Sequence, residues 1–139
     1  MSADAAVTAP AAEEAPAVAP PSLIQYVVLR KDLRSELSWP LGSLVAQACH
    51  ASVAAVWLHR EESSVQAYCS PEALDSMHKV VLEVKGETQL RALAEKLTQA
   101  GVAHKLWIEQ PEGVATCLAT KPAAREDVSP HLKKLNLCK

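Results

Sequence analysis

The 139-residue sequence predicts an α/β fold: a three-layer single domain whose four-stranded mixed sheet is flanked by helices on both faces. Three observations carry that expectation. Short runs rich in Val, Leu and Ile occupy residues 23–29, 79–84, 102–108 and 114–119, each of strand length. Two longer stretches, 42–56 and 87–100, repeat apolar residues at helical spacing and fall between the first three runs, so those strands are parallel across helical crossovers. A turn at Gln110-Pro111-Glu112-Gly113 parts the last two runs, which therefore close as an antiparallel hairpin.

Length and composition set the outer limits. Apolar residues make up 49% of the chain, enough for one real core, and the chain is too short for a comfortable second domain. Residues 1–22 are rich in Ala and Pro, with Asp4, Glu13 and Glu14 as their charges, and are expected to form a disordered tail. Residues 23–139, the expected folded domain, carry 14 basic and 13 acidic side chains, a balance that argues against a broadly basic nucleic-acid surface. Without Arg or Lys, the tail reads as neither a secretory signal nor a mitochondrial presequence. No later run reads as long and apolar enough to span a bilayer, so no membrane partner is expected. Cys49, Cys69, Cys117 and Cys138 are scattered without zinc-ligand spacing, which points to free thiols in a reducing cytoplasm.

Taken in order, residues 23–29 (LIQYVVL) form the nearly continuous apolar run that a central strand, covered on both faces, requires. Arg30, Lys31 and Arg34 cluster around Asp32. Residues 35–40 read as a loop, with Ser38 as a cap and Pro40 in the first turn of a helix reaching about residue 60. In that helix Leu44, Ala48, Ala51, Ala55 and Leu58 share one face, small enough to lie close against a sheet, while Ser43, Gln47 and His50 form a polar stripe. A shorter helix is expected within 65–77. Residues 79–84 supply the second strand; the helix over 87–100 presents Leu90, Leu93, Ala94 and Leu97 on one face and stops at Gly101. Residues 123–137 carry Val128, Leu132 and Leu135 at helical spacing, but Pro130 cannot sit in a helix interior without removing a hydrogen bond. Either a kinked helix or a new one capped by Ser129 is expected.

In open α/β sheets, sites gather beyond the carboxyl ends of the strands, where helix N-termini also point. Arg30, Asp32, Ser43, Gln47 and Glu109 are expected to face one crevice there, with helix N–H donors for a phosphate or a developing oxyanion. His50 suits a base, and Glu109 a carboxylate that orients it or activates water. Each has a plainer reading. His50 serves as a packing residue, Ser43 solvates a helix end, and Gln47 bonds a neighbouring loop. Arg30, Lys31 and Arg34 form a solvated edge, Thr116 is a β-former, and Trp39, Trp57 and Trp107 are core or rim contacts. There is no Gly-rich phosphate loop, Gly-x-Ser-x-Gly elbow or zinc cluster, which leaves a simple hydrolytic or binding site.

The segments VVLRKDL (27–33) and GSLVAQACHA (42–51) together resemble the second, archaeal and eukaryotic, type of peptidyl-tRNA hydrolase, and more closely its divergent branch of peptidyl-tRNA hydrolase domain-containing proteins. The resemblance covers about residues 23–139. It implies a mixed-sheet α/β fold, commonly a homodimer, that cleaves the ester joining a peptide to the 3′ end of tRNA, with no metal or organic cofactor. Arg30, Asp32, Gln47 and His50 match the family pattern in type. Ser43 stands where the family has Lys, Glu109 where it has Asp, and Gln110-Pro-Glu-Gly replaces a longer loop holding a Thr linked to catalysis, with Thr116 a distant counterpart. As a hydrolase, the chain is expected to use Gln47, His50, Glu109 and Ser43 in catalysis and Arg30, Lys31 and Arg34 to hold tRNA. An inactive member that keeps the scaffold to bind RNA or a protein is the alternative.

Overall fold

The structure is a computed structural model and describes residues 22–139; the expectation for the tail, Ser22 apart, lies outside the described residues. Strand β1 (Leu23–Arg30) is buried over nearly its whole length, as an apolar run is when helices cover both faces of a sheet. It pairs in parallel with β2 (Lys79–Val84), from Gln25 opposite Lys79 to Arg30 opposite Val84. Helix α4 (Glu87–Gln99) leads from β2 to β3 (His104–Glu109), which forms a hairpin with β4 (Val114–Thr120); β4 lies antiparallel against the other edge of β1. Two further strands correct the expected four to six: β5 (Ala123–Ala124) beside β1, and β6 (Asn136–Leu137) beside β2. At two residues each they are too short to show a period of two, so the pattern could not reveal them.

The main path of the sheet runs β3-β4-β1-β2-β6. The chain steps from β1 to β2 in one direction and from β2 to β3 back past β1 and β4. Two right-handed crossovers of opposite direction must lie on opposite faces. The first holds α1 (Asp32–Ser35), α2 (Leu41–Leu58) and α3 (Ser63–Tyr68); the second is α4. On the α4 face, Ile24, Tyr26, Val28 and Leu82 pack against Leu90, Leu93 and Leu97. The α2 face buries Val27, Leu29, Cys117 and Ala119 beneath Ala51 and Ala55. The predicted three layers are present.

Helix α2 differs in detail from its sequence reading. It ends at Leu58; Pro40 takes the N-cap position, and Ser38, at φ 58°, lies outside the helix and caps nothing. Leu44, Gln47, Ala51 and Ala55 are buried, but Leu58 is 61% exposed. At 1.5 Å per residue the 18-residue helix is roughly 27 Å long, whereas β3 and β4 beneath it span about 20 to 23 Å, so its last turn overshoots the hairpin. Its mean hydropathy of 1.4 over 18 residues makes it long and apolar enough to cross a membrane by length and composition, a correction to the sequence reading. Ala and Val raise hydropathy without bulk; in the fold the helix is one layer, seated on β1, β3 and β4.

The remaining differences follow the prolines. The single helix expected within 65–77 is α3 and a separate 3₁₀ turn, Leu74–Ser76, with Pro71 between them. Residues 123–137 form neither of the expected helices. They give a single turn, α5 (Arg125–Val128), a 3₁₀ turn containing Pro130 (Ser129–His131), and β6.

Candidate active site

Helix α2 runs back from the carboxyl ends of the parallel strands, so its N-terminal half stands over the end of the β3–β4 hairpin. Gln47 is 2% exposed and is held by two long-range contacts. Its side-chain N–H donates to Glu109 Oε2 at 2.8 Å, and its Oε1 accepts from the Thr116 hydroxyl at 2.7 Å. The other Glu109 oxygen accepts from Trp107 Nε1 at 3.2 Å. Against Trp107 lies His50, exposed, its ring stacked on the indole at 4.6 Å between centroids and 15° between planes. The result is a relay of side chains from buried Thr116 through Gln47 to a half-buried carboxylate. Hydrogen bonds from Gln47 and Trp107, with the nearby charge of His50, hold the Glu109 carboxyl below the usual carboxylate range.

Thr116 reaches Gln47 because the hairpin slips by one residue. Trp107 lies opposite Cys117 but Ile108 opposite Ala115, so Thr116 is the extra residue of a β-bulge. Ala115 and Leu118 face α4, while Cys117 packs under α2 and Thr116 bonds α2. Without the bulge, strict alternation would turn Thr116 and Cys117 to opposite faces. Sequence reading placed Thr116 as a β-former and Trp107 as a core or rim contact. One signal was available: Thr116 and Thr120 are polar residues in an otherwise apolar strand, and both are fully buried.

Arg30 and Asp32 do not join this crevice. Along β1, Tyr26, Val28 and Arg30 alternate onto the α4 face, and Arg30 is 7% exposed. Its guanidinium forks onto Asp32, with Nε to Oδ1 at 2.9 Å and Nη2 to Oδ2 at 2.8 Å, while Nη1 donates to the Ala115 carbonyl at 2.9 Å. All three guanidinium nitrogens thus donate inside the protein, to Asp32 and to Ala115, rather than to a phosphate. Lys31 and Arg34 are exposed, Lys31 lying 3.7 Å from Glu83. Ser43 is half-buried, one helical turn before Gln47.

On the flank of α2 turned away from Gln47 opens a groove of about 1280 Å³, lined by Leu41, Val45, Val53, Trp57 and Val81 and bordered by Lys31. None of Ser43, Gln47, His50 and Glu109 lines it. The groove and the polar cluster are separate features on two sides of one helix.

The family model described as Peptidyl-tRNA hydrolase PTH2 matches residues 23–138, every element from β1 to β6. The chain belongs to the PTH2 family. Relatives extend the match: Mus musculus PTRHD1 is 53% identical over 123 residues, covering 88% of this chain and 86% of the mouse protein. Homo sapiens PTRHD1 is 51% identical over 121 residues, covering 86% and 85%. Both names give peptidyl-tRNA hydrolase as a provisional assignment. A peptidyl-tRNA hydrolase of Methanococcus maripaludis (strain S2) is 32% identical over 120 residues, covering 81% of this chain and 97% of its own. The PTH2 match spans both halves of the site: Gln47 and His50 on α2, Glu109 and Thr116 on the hairpin.

Proposed function

We propose that this PTH2 protein hydrolyses the ester between a peptide and the 3′ end of tRNA, with Glu109 as the group that activates water. The hydrogen-bonded set Thr116–Gln47–Glu109, in a chain of this family, carries the reading. In the proposed reaction Glu109 accepts a proton from a water that attacks the ester carbonyl carbon. The carbon–oxygen bond to the ribose then breaks, and the proton passes to the departing ribose oxygen. On this reading Gln47 aims the carboxylate, Ser43 and the N–H groups at the start of α2 stabilise the developing oxyanion, and exposed His50, stacked on Trp107, offers the substrate a platform. In the proposed complex Lys31 and Arg34, the exposed cations of the Arg30 cluster, meet the tRNA backbone from the groove side of α2. Four free cysteines support a reducing compartment such as the cytoplasm, where translation produces such substrates. The homodimer that the family resemblance implies has a fitting seam in the groove beside α2, whose Val45, Val53 and Trp57 are each more than half exposed.

A second reading, an RNA- or protein-binding member without turnover, is favoured by one feature. Both Glu109 oxygens already accept hydrogen bonds, and the lowered carboxyl is a weak base. Release of tRNA from an N-acetylated aminoacyl-tRNA separates the two. Turnover that falls roughly 100-fold or more in Glu109→Ala supports hydrolysis; salt-dependent tRNA binding with no release at micromolar protein establishes the second reading instead.

A further inference from the structure

We propose that Arg30 and Glu87 are positioning residues that hold the β4 bulge and so aim Thr116 at Gln47. They touch no substrate on the reading above, on which the kinetic part of this inference rests.

Strand β1 leaves its ladder with β4 before reaching Ala115. The paired residues of β1 and β4 run from Val27–Ala119 to Leu29–Cys117 and go no further, because after Arg30 the chain turns into α1. Ala115, the residue before the bulge, therefore has no β1 partner on that side. Two side chains supply one. The Ala115 carbonyl accepts from Arg30 Nη1 at 2.9 Å, and the Ala115 N–H donates to Glu87 Oε2 at 3.0 Å. An arginine from the end of β1 and a glutamate from the first turn of α4 thus complete the ladder in place of backbone.

Both side chains are themselves fixed. Asp32 takes the Arg30 fork in two parallel bonds. Glu87 receives Arg91 one turn along α4 at 2.9 Å and lies 3.6 Å from Arg30. Even Gly86 takes part: a Cβ there would stand 3.2 Å from Asp32 Oδ2. Four charged residues converge on the two polar groups of one alanine. A buried guanidinium is costly to desolvate, and a well-packed apolar residue would serve stability as well. What an apolar residue cannot do is hold the Ala115 carbonyl, and with it the peptide plane leading into Thr116. From there the line runs through the Thr116 hydroxyl and Gln47 to Glu109. The Arg30 network lies on the α4 face and the relay on the α2 face, so the effect crosses the sheet through one bulge.

The test uses Arg30→Lys, which keeps the charge and loses the fork, and the pair Glu87→Gln and Glu87→Ala, the first of which still accepts from Ala115 N–H. Glu87 is 33% exposed, so its variants leave the core packed even should Arg30→Lys fail to fold. Backbone hydrogen exchange at Ala115 and the side-chain amide resonance of Gln47 are read by NMR in each folded variant. Faster exchange and a displaced Gln47 resonance in Arg30→Lys and Glu87→Ala, with both restored in Glu87→Gln, support positioning. On N-acetyl-aminoacyl-tRNA the same two variants are expected to lose roughly 10- to 100-fold in kcat with KM within about twofold. An unchanged Gln47 resonance in folded Glu87→Ala overturns the proposal. Because NMR reads geometry without turnover, a wild-type protein that releases no tRNA overturns the hydrolytic reading alone and leaves this inference decided by the resonance.

Discussion

The two faces of the sheet are built on opposite terms. The α4 face is filled with Ile24, Val28, Leu82, Leu90, Leu97 and Leu118, each at most 6% exposed. The α2 face substitutes alanine for leucine. Ala51 and Ala55 seat the helix close to β1 and β4, its buried set is smaller, and one of the two glutamines buried on it, Gln47, belongs to the candidate site. Beyond α2 the sheet is left open over β2, where Val81 is 38% exposed at the edge of the groove. Close backbone approach over small residues brings a helical Gln within reach of a strand-end Glu; thick leucine layers would hold them apart. One face supplies stability, and the other gives up part of that burial for a polar site.

The largest effect that sharpens this division is on the α4 face. Leu97→Ala removes a fully buried side chain and is expected to cost about 2–5 kcal/mol in urea unfolding, with unchanged activity per folded molecule. Next comes Ala51→Leu, which adds bulk where α2 meets the sheet. Overpacking is expected to cost roughly 1–3 kcal/mol, but here the activity falls as well, because lifting α2 parts Gln47 from Glu109 and Thr116. If Ala51→Leu left turnover intact, the close seating of α2 would have no bearing on the site.

A smaller effect follows acidity. The Ala115 N–H, Arg91 and Arg30 hold the Glu87 carboxyl below its ordinary value of 4.5, and Gln47 and Trp107 do the same for Glu109. A lowered folded-state value means stability that is fully present above 4.5 and lost as pH falls through the depressed value. Thermal melts are therefore expected to be level from neutral pH down to about 5 and to fall below that, with a shallower acid limb in Glu109→Gln. The smallest effect belongs to the groove. Val53→Ser is expected to change the stability of a monomer by less than about 0.5 kcal/mol. A larger loss that grows on dilution would mark a second copy seated there.

Much of the fold was legible because it rests on local pattern. The apolar run of β1, the period of α4 with its stop at Gly101, and the turn before β4 each announce themselves within a few residues. Polar Gln47 and His50 stood out against an alanine background for the same reason. Arg30 was harder. Its type and place at a strand end suit a phosphate, and nothing within ten residues of it says that Ala115 and Glu87 would claim it.

The sequence by itself determined the four longer strands, helices α2 and α4, the three layers, and the polar stripe on α2. These depend on side-chain periodicity and turn chemistry, which act over one or two turns of chain. The tertiary structure alone decided that Gln47 meets Glu109 across 62 positions and Thr116 across 69, and that Arg30 is spent on the opposite face. The meeting with Thr116 depends on the register of one hairpin, and the burial of Arg30 on the alternation of β1. A one-residue bulge reverses the direction of a side chain without altering the apolar pattern by which strands are read.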